Sequence, residues 1–122
     1  MTATEWFRRS SVLRQRLARF SVALRFEWNE EKALANERKH AISFAEVTTL
    51  FTSGVDYLEI FDVEHSLDEE RFICIGPIAR GIVLVVIVDM DTDLIRIISA
   101  RRATRRESLM LEQFLEERSH GG

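Results

Sequence analysis

Cysteine, proline and glycine are scarce in this chain of 122 residues, which holds one, one and five of them. The single Cys74 excludes an internal disulfide, and its place in the apolar run Phe72 to Ile75 reads as a buried thiol in a reducing compartment. The longest apolar run, Ile82 to Val88, has seven residues and is too short to span a bilayer, so a soluble protein is expected. No metal-ligand spacing, glycine-rich phosphate loop or serine nucleophile elbow occurs, and no cofactor is expected. Asp89 to Asp93 lacks the glycine and closing glutamate of a calcium loop. Repeats and low-complexity tracts are also missing.

What is present suits one domain, because 46% apolar residues over this length bury roughly two-thirds of the unfolded surface without a metal or disulfide. Charge is unevenly spread. Residues 1–25 carry six arginines against Glu5, whereas residues 26–122 carry eleven basic and nineteen acidic groups, a net of -8. A general polyanion-binding surface is therefore not expected on the folded part, and nucleic acid would need a local basic focus. The acidic remainder is either a solvated surface or a face for a basic protein partner.

In residues 1–25, Trp6, Val12, Leu13, Leu17, Phe20 and Leu24 have spacings compatible with an amphipathic helix. Three readings stay open for this basic extension: a packed helix, a mobile or misassigned start, and a targeting signal. Residues 26–122 form the proposed domain. Phe26-Glu27-Trp28 reads as a short extended piece, and Asn29 caps a helix to about Lys39. On it Lys32, Asn36, Lys39 and His40 share one polar face, either a solvated stripe or one wall of a cleft. Ser43 to Glu46 has capping-box spacing and opens a second helix to about Thr52, with Phe44, Val47, Leu50 and Phe51 facing inward.

From Val55 the period switches to two. Strands are expected over Val55 to Phe61, Arg71 to Gly76, Ile82 to Val88 and Leu94 to Ala100, the third covered on both faces. His65 lies in the acidic loop Asp62 to Glu70, where a plain surface histidine is the simpler reading. A closing helix runs from about Arg105 to Glu117, with Leu109, Leu111, Phe114 and Leu115 as its apolar face. The order, two helices, four strands in an antiparallel meander and one helix, reads as an α+β fold.

Function points to Leu94 to Glu107. A strand runs out and Thr104 to Glu107 gives a second capping box, so Arg96, Arg101, Arg102, Arg105 and Arg106 gather at a helix start. Guanidinium groups hold two phosphate oxygens at once and stabilise developing charge, which suits a phosphodiester. In RNA cleavage without a metal, the 2′-hydroxyl attacks phosphorus, a base takes its proton, and an acid protonates the leaving 5′-oxygen. A non-catalytic module that binds nucleic acid or a protein carboxylate is the alternative.

Phe26-Glu27-Trp28-Asn29, Lys32, Asn36, Lys39-His40, Phe44, Glu70-Arg71, and Arg96 through Thr104 before Glu107 together resemble the BrnT toxin family over about residues 26–115. Residues 1–25 have no counterpart there, Asn29-Glu30 stands where the family usually has Asp-Pro, and Ala41 where it often has Gly. The resemblance implies a RelE-like fold and a cytoplasmic endoribonuclease toxin of a type II toxin-antitoxin pair. It also implies neutralisation by a BrnA-type ribbon-helix-helix antitoxin, operator DNA bound only through that antitoxin, and a complex of two toxins with two antitoxins. Carried onto this chain, Arg71 and Arg101, each at a strand end expected to face the same region of the meander, are the candidates for phosphate binding and transition-state stabilisation, and Lys32 and His40 for proton transfer or orientation of the phosphate. Arg96, Arg102, Arg105 and Lys39 are candidates for binding RNA, with Glu27 and Glu70 in support. Arg96 either reaches substrate or pairs with an acid such as Glu27. Glu70-Arg71 also reads simply as a cross-strand ion pair.

Overall fold

The computed structural model describes residues 23–121, so the proposed basic extension lies, up to residue 22, outside the described residues. In order the elements are β1 (Arg25–Glu27), α1 (Glu30–His40), α2 (Phe44–Val47), α3 (Thr49–Thr52), β2 (Leu58–Phe61), a 3₁₀ turn (Val63–His65), β3 (Arg71–Ile78), β4 (Gly81–Asp91), β5 (Leu94–Arg102) and α4 (Arg105–Gly121). Strands β2 to β5 form the expected antiparallel meander. The fold is α+β, but the sheet has five strands, in the order β1-β5-β4-β3-β2.

The expected four-stranded antiparallel sheet is corrected by β1, which pairs in parallel with β5 through Arg25↔Leu94, Phe26↔Ile95 and Glu27↔Arg96. Three residues cannot display a period of two, and their partner strand lies almost 70 residues away, so local pattern carries no trace of the pairing. Arg25 secures the strand by an ion pair of 3.0 Å to Asp93. The expected second helix is also divided, into α2 and α3. Thr48 and Thr49 donate their hydroxyls to the carbonyls of Ala45 and Glu46, a local competition that disturbs a continuous helix. Its inward face nevertheless survives, with Phe44, Val47, Leu50 and Phe51 all buried.

Each capped start follows from its residues. Asn29 accepts from the Lys32 amide at 3.0 Å. Ser43 and Glu46 satisfy each other's backbone N–H at 3.1 and 3.0 Å, and Thr104 and Glu107 do so at 3.2 and 2.8 Å. Alternate strand residues then face two apolar layers. Val83, Val85 and Ile87 pack with the α1–α3 side, whereas Leu84 and the half-buried Val86 pack with Leu111, Phe114 and Leu115 of α4. Leu109 departs from the expected α4 stripe and is 48% exposed, since two residues before Leu111 lies on the opposite side of the helix.

Candidate functional site

Strand register places four side chains in one line across the sheet. Glu27 of β1 pairs with Arg96 of β5, Arg96 with Val88 of β4, and Val88 with Arg71 of β3. Two strand spacings put the Cα atoms of Arg71 and Arg96 about 10 Å apart. Between and beside them opens a cleft of about 450 Å³. Trp28 and Asn29 from the β1–α1 link, Lys32 from the first turn of α1, and Glu69 from the loop before β3 complete its polar wall. Ile97 and Ile98 line it too, next to an irregular register between β4 and β5, and such bulges re-aim side chains at a sheet's rim.

The cleft arginines are held but not consumed. Arg96 donates from Nε to Glu27 Oε1 at 2.9 Å and approaches it from Nη2 at 2.8 Å. Arg71 donates from Nη2 to Glu69 Oε1 at 3.2 Å. Pairs this exposed are worth about 1 kcal/mol or less, so an arriving anion can displace them. Arg71 Nε is buried without a hydrogen-bond partner among the described residues, a donor left over that costs about 1–3 kcal/mol until something accepts from it. Lys32 is exposed. Trp28 is the aromatic group of the wall, fixed by its Nε1 bond of 3.3 Å to Glu30 and by edge-on packing at 6.0 Å against Phe44.

The structure thus brings together Lys32, Arg71, Arg96 and Glu27 of the expected set, and it leaves the others elsewhere. Arg71 and Arg101 do not face one region, because β3 and β5 run parallel to each other on either side of β4. The start of β3 is level with the start of β5, not with its end. Arg71 pairs with Val88 and Arg101 with Leu84, about 13 Å along the strand. Arg101 instead makes a two-pronged contact with Glu107, at 2.8 and 2.9 Å. That contact, helped by the Thr104 amide against the opposing effect of burial, holds the Glu107 carboxyl down at about 2.

Arg102 and Arg105 are exposed at the same far end, Arg102 donating to the Arg80 carbonyl at 3.2 Å. Lys39 and His40 sit one whole helix from Lys32, eight residues or about 12 Å along α1 for His40. Asn36, on the face it shares with them, is buried where α1 packs on β5, bonding the Ala100 carbonyl at 2.8 Å and the Ala100 amide at 3.1 Å. Glu69, not Glu70, pairs with Arg71, while the Glu70 carbonyl accepts from the Asp89 amide at 2.9 Å. His65 is a surface group beside Asp62 at 2.9 Å.

Trp28 and Glu69 were not among the expected site residues. Glu69 is indistinguishable by pattern from its neighbours in an acidic loop, whereas Trp28 had a signal, an aromatic immediately before a helix cap. Among the described residues no three His, Cys, Asp or Glu side chains gather as metal ligands, and no helix is long and apolar enough to cross a membrane.

A mixed five-stranded sheet that aims cations from two strands and a helix start into one open cleft defines a small α+β protein equipped to receive an anion. The chain belongs to the family of BrnT ribonuclease toxins of type II toxin-antitoxin systems, whose model matches residues 28–107. The crystal structure of the Brucella abortus ribonuclease toxin BrnT, at 1.1 Å, is similar in fold, with a TM-score of 0.52 and 21% identity over 68% of this chain and 100% of that one. Comparison with curated proteins finds no match.

Proposed function

We propose that the cleft cleaves single-stranded RNA as the toxin half of a toxin-antitoxin pair. The observation that carries this reading is the line Glu27–Arg96–Val88–Arg71, which sets two guanidinium groups on either side of one strand with Lys32 and an aromatic wall beside them. Arg71 and Arg96 take the oxygens of the scissile phosphate, and the orphan Nε of Arg71 gains an acceptor there. Trp28 stacks an unpaired base. The ribose 2′-hydroxyl attacks phosphorus and passes its proton to Glu69, the cleft carboxylate with the looser arginine contact. The bond to the 5′-oxygen breaks, Lys32 supplies that oxygen's proton, and a 2′,3′-cyclic phosphate and a 5′-hydroxyl are left. No step in this scheme calls for a metal ion. Arg101 and His40 stand outside this chemistry, Arg101 as a brace for Glu107.

The same reading makes residues 26–122 the toxin domain, acting in the cytoplasm. Its partner is a BrnA-like ribbon-helix-helix antitoxin that blocks the cleft, and the two proteins together, two copies of each, bind the operator through the antitoxin. RNA cleavage by the purified chain, with chelator present, tests the activity. Arg71→Ala should lower kcat about 10²- to 10³-fold, as for removal of a transition-state donor, while melting normally. Cleavage by that variant at the unmodified chain's rate would remove Arg71 from the site and with it this reading of the cleft.

A further inference from the structure

At the end of the sheet away from the cleft, five exposed cations carry no carboxylate partner among the described residues. Arg38 and Lys39 close α1, Arg102 ends β5, and Arg105 and Arg106 open α4. Hydrogen bonds tie these elements together. Arg80, in the β3–β4 turn, donates to the Ala41 carbonyl just past α1 and to Glu46 at 2.7 Å, and its own carbonyl accepts from Arg102 at 3.2 Å. The acids at this end, Glu46 and Glu107, are engaged by Arg80 and Arg101, and Glu37 is exposed on α1.

Arg105 and Arg106 occupy the first turn of a 17-residue helix, where the partial positive charge of free N–H groups disfavours cations. They do not stabilise the helix start, and among the described residues they form no ion pair. Exposed cations gathered at one end of a folded part of net charge -8 are placed for something outside the molecule.

The cleft shows what that is. Its three cations face two carboxylates, Glu27 and Glu69, which leaves it about one charge with which to hold a polyanion. Affinity for a nucleic acid grows with the number of phosphates neutralised. We propose that this far end of the sheet is a second RNA-binding surface, which grips the strand flanking the cleaved nucleotide by its phosphates. The proposal rests on the ribonuclease reading of the cleft. Arg96 and Arg102 are six residues apart in β5, about 20 Å, a reach of roughly six nucleotides of stacked strand. Phosphate contacts carry no sequence information, so this surface sets affinity and length preference, not the cleavage sequence.

The test compares cleavage of an RNA of about twenty nucleotides with one of about three containing the same scissile step, over a salt series. The unmodified chain should prefer the long RNA by roughly tenfold or more in kcat/KM at low salt. In Arg38→Gln/Arg102→Gln/Arg106→Gln that preference should collapse towards one through KM, and the slope of log KM against log salt should fall by about 2. Thermal melting establishes that the variant folds. A variant that keeps the length preference overturns the proposal, and so does one that loses only antitoxin binding, which would assign the patch to the protein partner. Should the unmodified chain cleave no RNA, the ribonuclease reading fails separately. Binding of a labelled all-deoxy oligonucleotide then still reads the surface, with a loss of tenfold or more expected and no loss fatal to it.

Discussion

Glu107 shows how one side chain can look like part of an anion site and serve another purpose. It closes the capping box with Thr104 and receives both Nη atoms of Arg101, and the arginine contact is the larger reason its carboxyl stays at about 2. A carboxyl lowered from 4.5 on folding contributes stability that is complete above that unfolded value and fades as pH falls towards 2. Both partners are partly solvated, so screening reduces the contribution to about 1–2 kcal/mol at neutral pH. Glu107→Gln keeps a capping side chain and removes only the charge. Its deficit against the unmodified chain should be about 1–2 kcal/mol at pH 7 and vanish near pH 2, followed by urea unfolding at several pH values. A gap of constant size across that range would show that the charge is not what Glu107 contributes.

At the scale of elements, Asn36 does the work of a missing strand. β1 is three residues long and pairs only with Leu94 to Arg96, so the outer edge of β5 beyond it is open. Asn36 meets both the amide and the carbonyl of Ala100 on that edge, as a neighbouring strand would, and also bonds the Ile42 carbonyl. Asn36→Ala leaves these buried groups unpaired and should cost about 2–4 kcal/mol, with faster amide exchange at Ala100 than elsewhere in β5. Uniform exchange along the strand would refute the clamp. This contact marks the boundary of what sequence reveals. Capping boxes and period-two strands are local, and Ser43, Thr104 and the meander β2 to β5 were legible for that reason. Asn36 shares a helical face with Lys32 by spacing alone, and only the packing of α1 on β5 turns it inward. Arg71 and Arg96 were identifiable as candidates, but their meeting depends on strand direction across β4, which grouped Arg71 with Arg96 instead of Arg101. Glu69 and Glu70 differ only in which way the chain turns before β3.

Across the whole molecule, close packing and the open cleft occupy different ends of the same strand. β3 begins at Arg71 in the cleft and reaches Gly76 five residues on, about 17 Å away, where the α2–α3 layer and β2 close on the sheet. A Cβ at Gly76 would stand 2.5 Å from Leu50 Cδ1 and 2.6 Å from Tyr57 Cβ. Leu50 is wholly buried and Tyr57 almost so; the Leu50 side chain must repack, and because a Cβ atom moves only with its backbone, the chain at Tyr57, just before β2, must shift. Gly76→Ala should therefore destabilise the fold by about 2–3 kcal/mol, a fall in Tm of roughly 10–20 °C for a domain of this size. Arg71 pairs with Val88 and Gly76 with Val83, so the strain enters at a different part of β4 from the one that carries the cleft. Cleavage per folded molecule, measured well below the lowered Tm, should stay within about twofold of the unmodified chain, since a near-neutral change of under 0.5 kcal/mol corresponds to that factor. Loss of activity in step with stability, at temperatures where the variant is still folded, would mean that the spacing between the layers sets the geometry of Arg71 and Arg96 and that the two ends of β3 are coupled.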